Sequence, residues 1–376
     1  MTVWDSLVGQ TRVVETLKRA VAGEMTHAWL FTGPPGSGRS NAAIAFAAAL
    51  QCEKAGCGEC HSCHTAEIGS HTDISVTRTQ KLTIGVDDVR QLVRSAALAP
   101  VGDRYQIMIV EDADRLTDQA ANALLKAVEE PTDRTVWLLC APTVEDVLPT
   151  IRSRTRLVVL ATPSAVDVAG FLVQRDGVSP ERASYAARAS QGHIGRARAL
   201  ATEEATFARR REVVRIPGEL TTLGRCLTAA ANLHDSATEE SAEMTSRIDA
   251  RERADLDVMY GVVERGRRPR EYAPALRDME KSQKTRAKRR VLDVVDRGLM
   301  DLVSVYRDAI AVQIGGPQGL VNEESRADVM ALAQSSSPEQ NLARIEAVFT
   351  AREQMLEFNV PPLLALESMM MALRVG

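Results

Sequence analysis

Four groups of residues in this sequence have types and spacings that could do chemistry. The first is Gly33-Pro34-Pro35-Gly36-Ser37-Gly38-Arg39-Ser40. It has the spacing of a phosphate-binding loop, G-x-x-x-x-G-K-[S/T], with arginine in place of the lysine. Such a loop works because successive backbone N–H groups and a helix N-terminus face a polyphosphate. Ser40 stands where the Mg²⁺-binding hydroxyl belongs. Arg39 is bulkier and planar, and does not substitute freely for a compact ammonium. The second group is Glu111-Asp112-Ala113-Asp114, which follows the apolar run Ile107-Met108-Ile109-Val110. A nucleotide hydrolase keeps its magnesium carboxylate and the glutamate that activates water at such a place. Here the order is Glu then Asp, the reverse of the usual one, and Asp112 is a methylene shorter than the general base should be. Misplacing a catalytic group by about an ångström lowers a rate by on the order of a hundredfold.

The third group is Cys52, Cys57, Cys60 and Cys63, in C-x4-C-x2-C-x2-C spacing. Four thiolates this close in a reducing compartment can hold one tetrahedral Zn²⁺, and a closed four-ligand shell makes that zinc structural. The C-x2-C-x2-C rhythm also occurs in iron–sulfur proteins. Here the fourth cysteine lies upstream and no C-P follows, so zinc is favoured. A thioredoxin-like pair would not need four cysteines. His61 and His64 could replace one thiolate, but four suffice. Cys140 and Cys226 are isolated and read as core residues. The fourth group is Arg152-Ser153-Arg154, whose bland reading is a row of surface arginines with Arg156.

These residues must be positioned by secondary structure. Five apolar runs read as buried strands, at 28–32, 73–77, 106–110, 136–140 and 155–160. Near-continuous apolar runs suit a parallel sheet covered on both faces. Helical patterns lie between them, including 38–50, 86–99 stopped by Pro100, and a helix capped by Thr117 and stopped by Pro131. Residues 5–22 read as a turn, with a glycine in Leu7-Val8-Gly9-Gln10, followed by a packing helix. At 376 residues the chain is expected to form two or three domains. Its formal charge of −4 makes the whole molecule no nucleic-acid magnet. No apolar run approaches the roughly 20 residues that span a bilayer. The start, Met1-Thr2-Val3-Trp4-Asp5, does not read as a signal peptide. A cytoplasmic protein with reduced thiols is expected.

Together with Asn122-Ala123-Leu124-Leu125-Lys126, Glu129-Glu130-Pro131 and Leu148-Pro149-Thr150-Ile151-Arg152-Ser153-Arg154, these groups resemble the bacterial clamp-loader family of AAA+ proteins. The resemblance is strong through residue 160 and weaker beyond. It implies an α/β fold: a P-loop AAA+ parallel-sheet domain with the four-cysteine module at 1–160, a small helical lid at 161–205, and an all-helical oligomerisation collar at 206–376. It implies that Arg154 is a trans arginine finger, reaching the γ-phosphate of a nucleotide held by a neighbouring subunit. Thr155 stands where the family's Ser-Arg-Cys motif ends in cysteine. Thr143 falls near the sensor position. In Gly192-His193-Ile194-Gly195-Arg196-Ala197-Arg198, Gly195 aligns where active subunits carry an arginine.

With Arg39 and the inverted Glu111-Asp112, that is a third departure in the nucleotide machinery. Hydrolysis of ATP by this chain is then not expected, while binding of ATP or ADP without hydrolysis stays open because Gly33 to Gly38 keep the backbone cradle, with Mg²⁺ only if nucleotide binds. The implied role is a stator for ATP-driven loading of a sliding clamp onto primed DNA. Its implied partners are gamma/tau-type motor subunits and a delta subunit in a heteropentamer. An active gamma/tau-type motor would predict Lys at 39 and Asp-Glu at 111–112. A branch-migration type AAA+ motor would lack the cysteine insertion and collar. A purely structural interaction protein would carry an idle Arg154. Residues 247–290 are densely charged, and the basic runs at 265–270 and 284–290 read as a solvated hairpin rather than a DNA contact, because no aromatic platform accompanies them. The last helix is apolar around much of its circumference and should be buried, within this chain or against a partner.

Overall fold

The computed structural model describes residues 2–78, 83–262, 269–316 and 319–374. The chain divides into two compact units, Met1–Glu203 and Glu204–Gly376.

The first unit is built on five strands: β1 (Ala28–Thr32), β2 (Ile74–Thr77), β3 (Gln106–Val110), β4 (Thr135–Ala141) and β5 (Arg156–Val159). They form one sheet in the order β2-β3-β4-β1-β5. Every pairing is parallel, with Leu30 opposite Leu139 on one side and Leu157 on the other. β1, β3 and β4 are buried throughout, as their unbroken apolar sequences require. The two-residue period sorts their side chains. Trp29, Phe31, Ile107, Ile109, Leu138 and Cys140 enter one core layer. Leu30, Met108, Val110, Trp137 and Leu139 enter the other.

Around the sheet run α1 (Thr11–Val21), α2 (Arg39–Gln51), α3 (His61–Glu67), α4 (Val86–Ala96), α5 (Asp118–Glu129) and α6 (Pro149–Arg152). α2 covers one face through Ala42, Phe46 and Ala49. α4 and α5 cover the other through Val89, Leu124 and Val128. Three further helices close the unit, α7 (Ala165–Asp176), α8 (Pro180–Ser190) and α9 (Ile194–Thr202).

Several boundaries differ from the sequence expectation, for local reasons. α4 ends at Ala96 instead of 99, because a residue before proline, here Ala99, is disfavoured in the helical region. Leu7 and Val8 are buried but precede α1. A 3₁₀ turn at Val3–Ser6 and Gly9 at φ +70° carry the chain into α1 only at Thr11. Thr117 caps α5 as expected, its hydroxyl accepting from the N–H of Ala120 at 3.2 Å.

The second unit is helical: α10 (Glu204–Glu219), α11 (Leu223–Met259), α12 (Tyr272–Gln313), α13 (Arg326–Ser335), α14 (Pro338–Leu356) and α15 (Pro362–Leu373). Its core joins Leu233, Leu299, Tyr306, Val348, Leu366 and Met370. α15 buries Ala365, Leu366, Met369, Met370 and Leu373, yet Leu364 and Met371 stay exposed. The expected burial is met within this unit on one face of the helix. Among the described residues no helix is long and apolar enough to cross a membrane.

Candidate functional site

All five strands run in one direction, so the residues that follow β1, β3 and β4 emerge at the same edge of the sheet. That edge receives the Gly33–Ser40 loop, the Glu111–Asp114 acids and Thr143. In open parallel sheets this carboxyl edge is where ligands bind.

The loop leads into α2, whose N-cap is Gly38 at φ +88°. The first-turn N–H groups of such a helix have no intrahelical acceptor. Arg39 does not extend away from the loop. Its Nη1 donates to the carbonyl of Gly33 at 2.6 Å, closing the loop's first residue onto its seventh. Three buried oxygens nearby in sequence or sheet order have no hydrogen-bond partner: Thr32 Oγ1, Ser37 Oγ and Glu111 Oε1. Glu111 is engaged through its other oxygen, Oε2, by Arg78 Nε at 2.6 Å. This pair follows from sheet order. β2 lies beside β3, and the N–H of Glu111 donates to the carbonyl of Thr77 at 3.1 Å, which brings the next residue of the β2 chain alongside. Asp112 lies 4.0 Å from Arg115. Burial pushes the Asp114 carboxyl up, Asp112 pushes it further, and Arg115 and Arg39 oppose them. The buried Cys140 thiol is pushed up by burial and by Glu111 and Asp112, again against Arg39. Arg39, the acids and β4 thus share one electrostatic neighbourhood.

The α7–α9 helices meet this loop at Gly36. At φ +86°, a Cβ on Gly36 would lie 2.7 Å from Cα and Cβ of His193, so only glycine fits. His193 caps α9, its Nδ1 accepting from the N–H of Arg196 at 3.2 Å. Gly195 offers no side chain in the first turn of α9. Arg198 turns to its own bundle and forks onto Asp176 at 2.7 and 3.0 Å. Gln10 ties the N-terminal segment to the same region, exchanging hydrogen bonds with Ala161. A cavity of about 490 Å³ lies beside α2, with Asn41, Ile44, Phe171, Ile194, Gly195 and Arg198 among its walls.

Arg154 lies in the turn between α6 and β5. Its Nε is 2.6 Å from Glu129 Oε1, with both side chains 40% exposed. Its Nη1 donates to the Thr150 carbonyl and Ser153 Oγ. Arg156 does not share its environment; it stacks over Trp29 at 5.0 Å and lies 3.7 Å from Glu24. Arg152 and Arg154 are exposed, while Arg156 is half-buried. Thr143 donates its N–H to Asp146 at 2.9 Å.

The four cysteines converge. Cys52 ends α2, Cys60 caps α3, Cys63 lies within α3, and Cys57 sits on the loop between the two helices. Ala55, Gly56 and Gly58 all have positive φ and bend that loop inward. The N-terminal turn clamps it: Val3 N–H donates to the Gly56 carbonyl, and Trp4 Nε1 to the Ala55 carbonyl, each at 3.1 Å. All four sulfurs lie within 4.8 Å of one another. Cys52 Sγ is 3.6 Å from Cys57 Sγ and 3.7 Å from Cys60 Sγ. With Zn–S bonds of about 2.3 Å, a tetrahedral zinc would set its sulfurs about 3.8 Å apart. An iron–sulfur cluster binds its thiolates through separate irons and would hold them wider. The residues fit one metal ion. Burial pushes the Cys52 thiol up, but hydrogen bonds from the Cys57, Gly56 and Lys54 backbone outweigh it and bring it down to about 6. Burial pushes Cys63 up. Cys140 and Cys226 are buried in the two cores.

Sequence reasoning missed Arg78 as the partner of Glu111, and His193 as the side chain against Gly36. Glu129 was visible only as part of a motif. Arg78 carries no sequence signal, because its role depends on β2 lying next to β3.

A parallel sheet in this order, with a Gly-rich loop after a central strand and a small helical bundle following β5, defines a P-loop protein of the AAA+ class. The family model for DNA polymerase III, delta subunit, matches residues 9–164. The DNA polymerase III subunit gamma/tau of Mycobacterium tuberculosis is 30% identical over 323 residues, which is 78% of this chain and 51% of that protein. The DNA polymerase III subunit delta' of Escherichia coli is 35% identical over 185 residues, 48% of this chain and 55% of that one. This chain spans about half the length of these curated relatives. A DNA polymerase III, gamma subunit-related protein from Thermotoga maritima aligns over 96% of this chain and 98% of its own, at 17% identity and a TM-score of 0.40, too low to bear on function. The chain belongs to the bacterial clamp-loader AAA+ family.

Proposed function

We propose that this chain is a delta-prime type subunit of the DNA polymerase III clamp loader, a stator that does not hydrolyse ATP itself. The observation that carries this reading is the contrast between two arginines. Arg39, in the chain's own loop, spends its guanidinium on the Gly33 carbonyl. Arg154 is half exposed on a turn, held only by an exposed carboxylate and local acceptors. An arginine in the first position is poorly placed to cradle a phosphate. One in the second can be lent to a neighbour, where a planar cation stabilises charge spreading over a transferred phosphoryl group.

In this reading, residues 1–160 form a degenerate ATPase domain, 161–205 its lid, and 206–376 the collar. Gly33–Ser40 with Glu111 and Asp112 retain enough of a cradle to bind ATP or ADP with Mg²⁺ without turnover. Cys52, Cys57, Cys60 and Cys63 hold a structural Zn²⁺. The partners are gamma/tau-type motors and a delta subunit in a heteropentamer, which loads the sliding clamp onto primer-template DNA.

The test is hydrolysis by the purified chain, alone and with its gamma/tau and delta partners. Alone, the chain is expected to turn over no ATP at any Mg²⁺ concentration, while its addition to the partners raises their clamp- and DNA-stimulated ATPase. Robust Mg²⁺-dependent turnover by the chain alone would make it a motor and overturn the stator reading.

A further inference from the structure

The second unit carries a feature that the stator role leaves unused. α11 and α12 pair well beyond the hydrophobic core. The last fully buried apolar residue of α11 is Ala237, and the first after Tyr272 in α12 is Val295. From there to its end at Met259, α11 runs for more than 20 further residues, or about 30 Å at 1.5 Å per residue. This distal arm is held together largely by polar contacts. Arg286 binds Glu252 at 2.6 Å and also Asp249. Gln283 donates to the Asp249 carbonyl and to Glu252. Arg253 meets Glu280 at 3.4 Å.

These pairs consume the arm's acids on the side where the helices meet. Residues 270–290 contain eight basic residues and three acidic ones, against three basic and seven acidic ones in 238–259, so the arm's cations are concentrated on α12. Arg277, Lys281, Lys284 and Lys288 are spaced four, three and four apart, which places them on one stripe of an α-helix. All four are exposed. None has an ion pair among the described residues. On the helical wheel the stripe lies about 100–160° away from Gln283, which faces α11. The basic residues at 265–268 lie outside the described residues.

We infer that this stripe of the α11–α12 arm is a binding surface for the phosphate backbone of duplex DNA, read without regard to sequence. Four cations along about 16 Å of helix, one per turn, suit a regular row of phosphates. Thr285 lies beside the stripe, as do the exposed carboxylates of Asp278 and Glu280, and none of them adds an apolar anchor of the kind a protein partner would need. No aromatic residue lies on it, so unstacked single-stranded bases have no platform; duplex phosphates need none, and this revises the solvated-hairpin reading of 284–290. The inference does not depend on which subunit role the chain plays.

The experiment is binding of the full-length chain to a fluorescent 20-bp duplex by anisotropy, repeated across salt concentrations. Four phosphate contacts predict a slope of log K against log [salt] of about −3.6, or roughly a hundredfold weaker binding between 50 and 200 mM salt. The fourfold variant R277Q/K281Q/K284Q/K288Q should abolish this slope, and each single change should reduce it by about 0.9. Because these side chains have no ion pairs to lose, circular dichroism melting should be unchanged. A control, R12Q/K18Q/R19Q on the exposed face of α1, should leave the slope intact. Three results would overturn the inference: no duplex binding at 50 mM salt, an equal loss of slope in the control, or stripe-dependent binding of polyglutamate but not of duplex.

Discussion

The pair formed by Arg154 and Glu129 separates a presented cation from a structural one by magnitude. Both side chains are 40% exposed and the closest contact is 2.6 Å. An ion pair this open to water is worth about 0.2–1 kcal/mol. Releasing Arg154 with Glu129→Gln therefore changes the free arginine population by at most about fivefold. An arginine finger supplied in trans contributes on the order of 10³–10⁵ in rate, equivalent to about 4–7 kcal/mol. In a reconstituted complex with gamma/tau and delta, Arg154→Ala in this chain should abolish hydrolysis at the one motor site it faces. Glu129→Gln should shift that site's rate by less than fivefold. The assay is single-turnover ATP hydrolysis with the remaining motor sites disabled, so that only the facing site reports. Thermal melting of each variant checks that the fold survives. If Arg154→Ala left that rate unchanged, the finger would be idle. If Glu129→Gln lowered it as far as Arg154→Ala, the pair would matter as a structural unit and the reasoning from exposure would fail.

Elemental analysis should find one zinc and no iron per chain, and Cys60→Ser should lose the metal and lower the melting temperature of the first unit; bound iron would refute the geometry-based assignment. In the second unit, Arg210 is buried and binds Asp301 at 3.0 Å and Asn322 at 2.6 Å. Arg210→Met breaks this buried pair, at about 3–5 kcal/mol, and should lower that unit's melting temperature by roughly 6–20 °C; a shift under 2 °C by calorimetry would contradict it. The arm should also be acid-sensitive. Hydrogen bonding from Arg286 holds the Glu252 carboxyl below its usual range. A depressed folded-state value means the stabilisation is present above the unfolded value, about 4.3, and fades as pH falls through the folded one. Protection factors of the amides in 247–259 should therefore fall below about pH 4 before those of the core of the unit, and protection factors that are flat with pH would count against the pair.

Much of the architecture was legible because it is written in short-range pattern. The strands at Ala28–Thr32 and Gln106–Val110 match the apolar runs residue for residue, since a strand covered on both faces has little choice of side chain. The cap at Thr117 and the stops before Pro100 and Pro131 are local chemistry. Ends were less certain where neighbours decide them, as with the fourth strand, which extends to Thr135 and Ala141. The cysteine spacing showed that four thiols could meet. It did not show that Val3 and Trp4 pin the loop that brings Cys57 to the others.

What the sequence by itself determined is the inventory: a phosphate-type loop bearing Arg39, acids in inverted order, four cysteines in ligand spacing, and an arginine after a short helix. Residue type and spacing along one chain are enough for that. Only the tertiary structure decided what each group does with its partners. Arg39 is folded onto Gly33, Glu111 is held by Arg78, His193 fills the space beside Gly36, and Glu129 holds Arg154. The same holds for the α11–α12 arm, where Glu280, Asp249 and Glu252 are paired across the two helices with Arg253 and Arg286. Charge and hydrogen bonding act through distance, and for residues far apart in the chain distance is set by strand order and helix pairing, which composition does not encode.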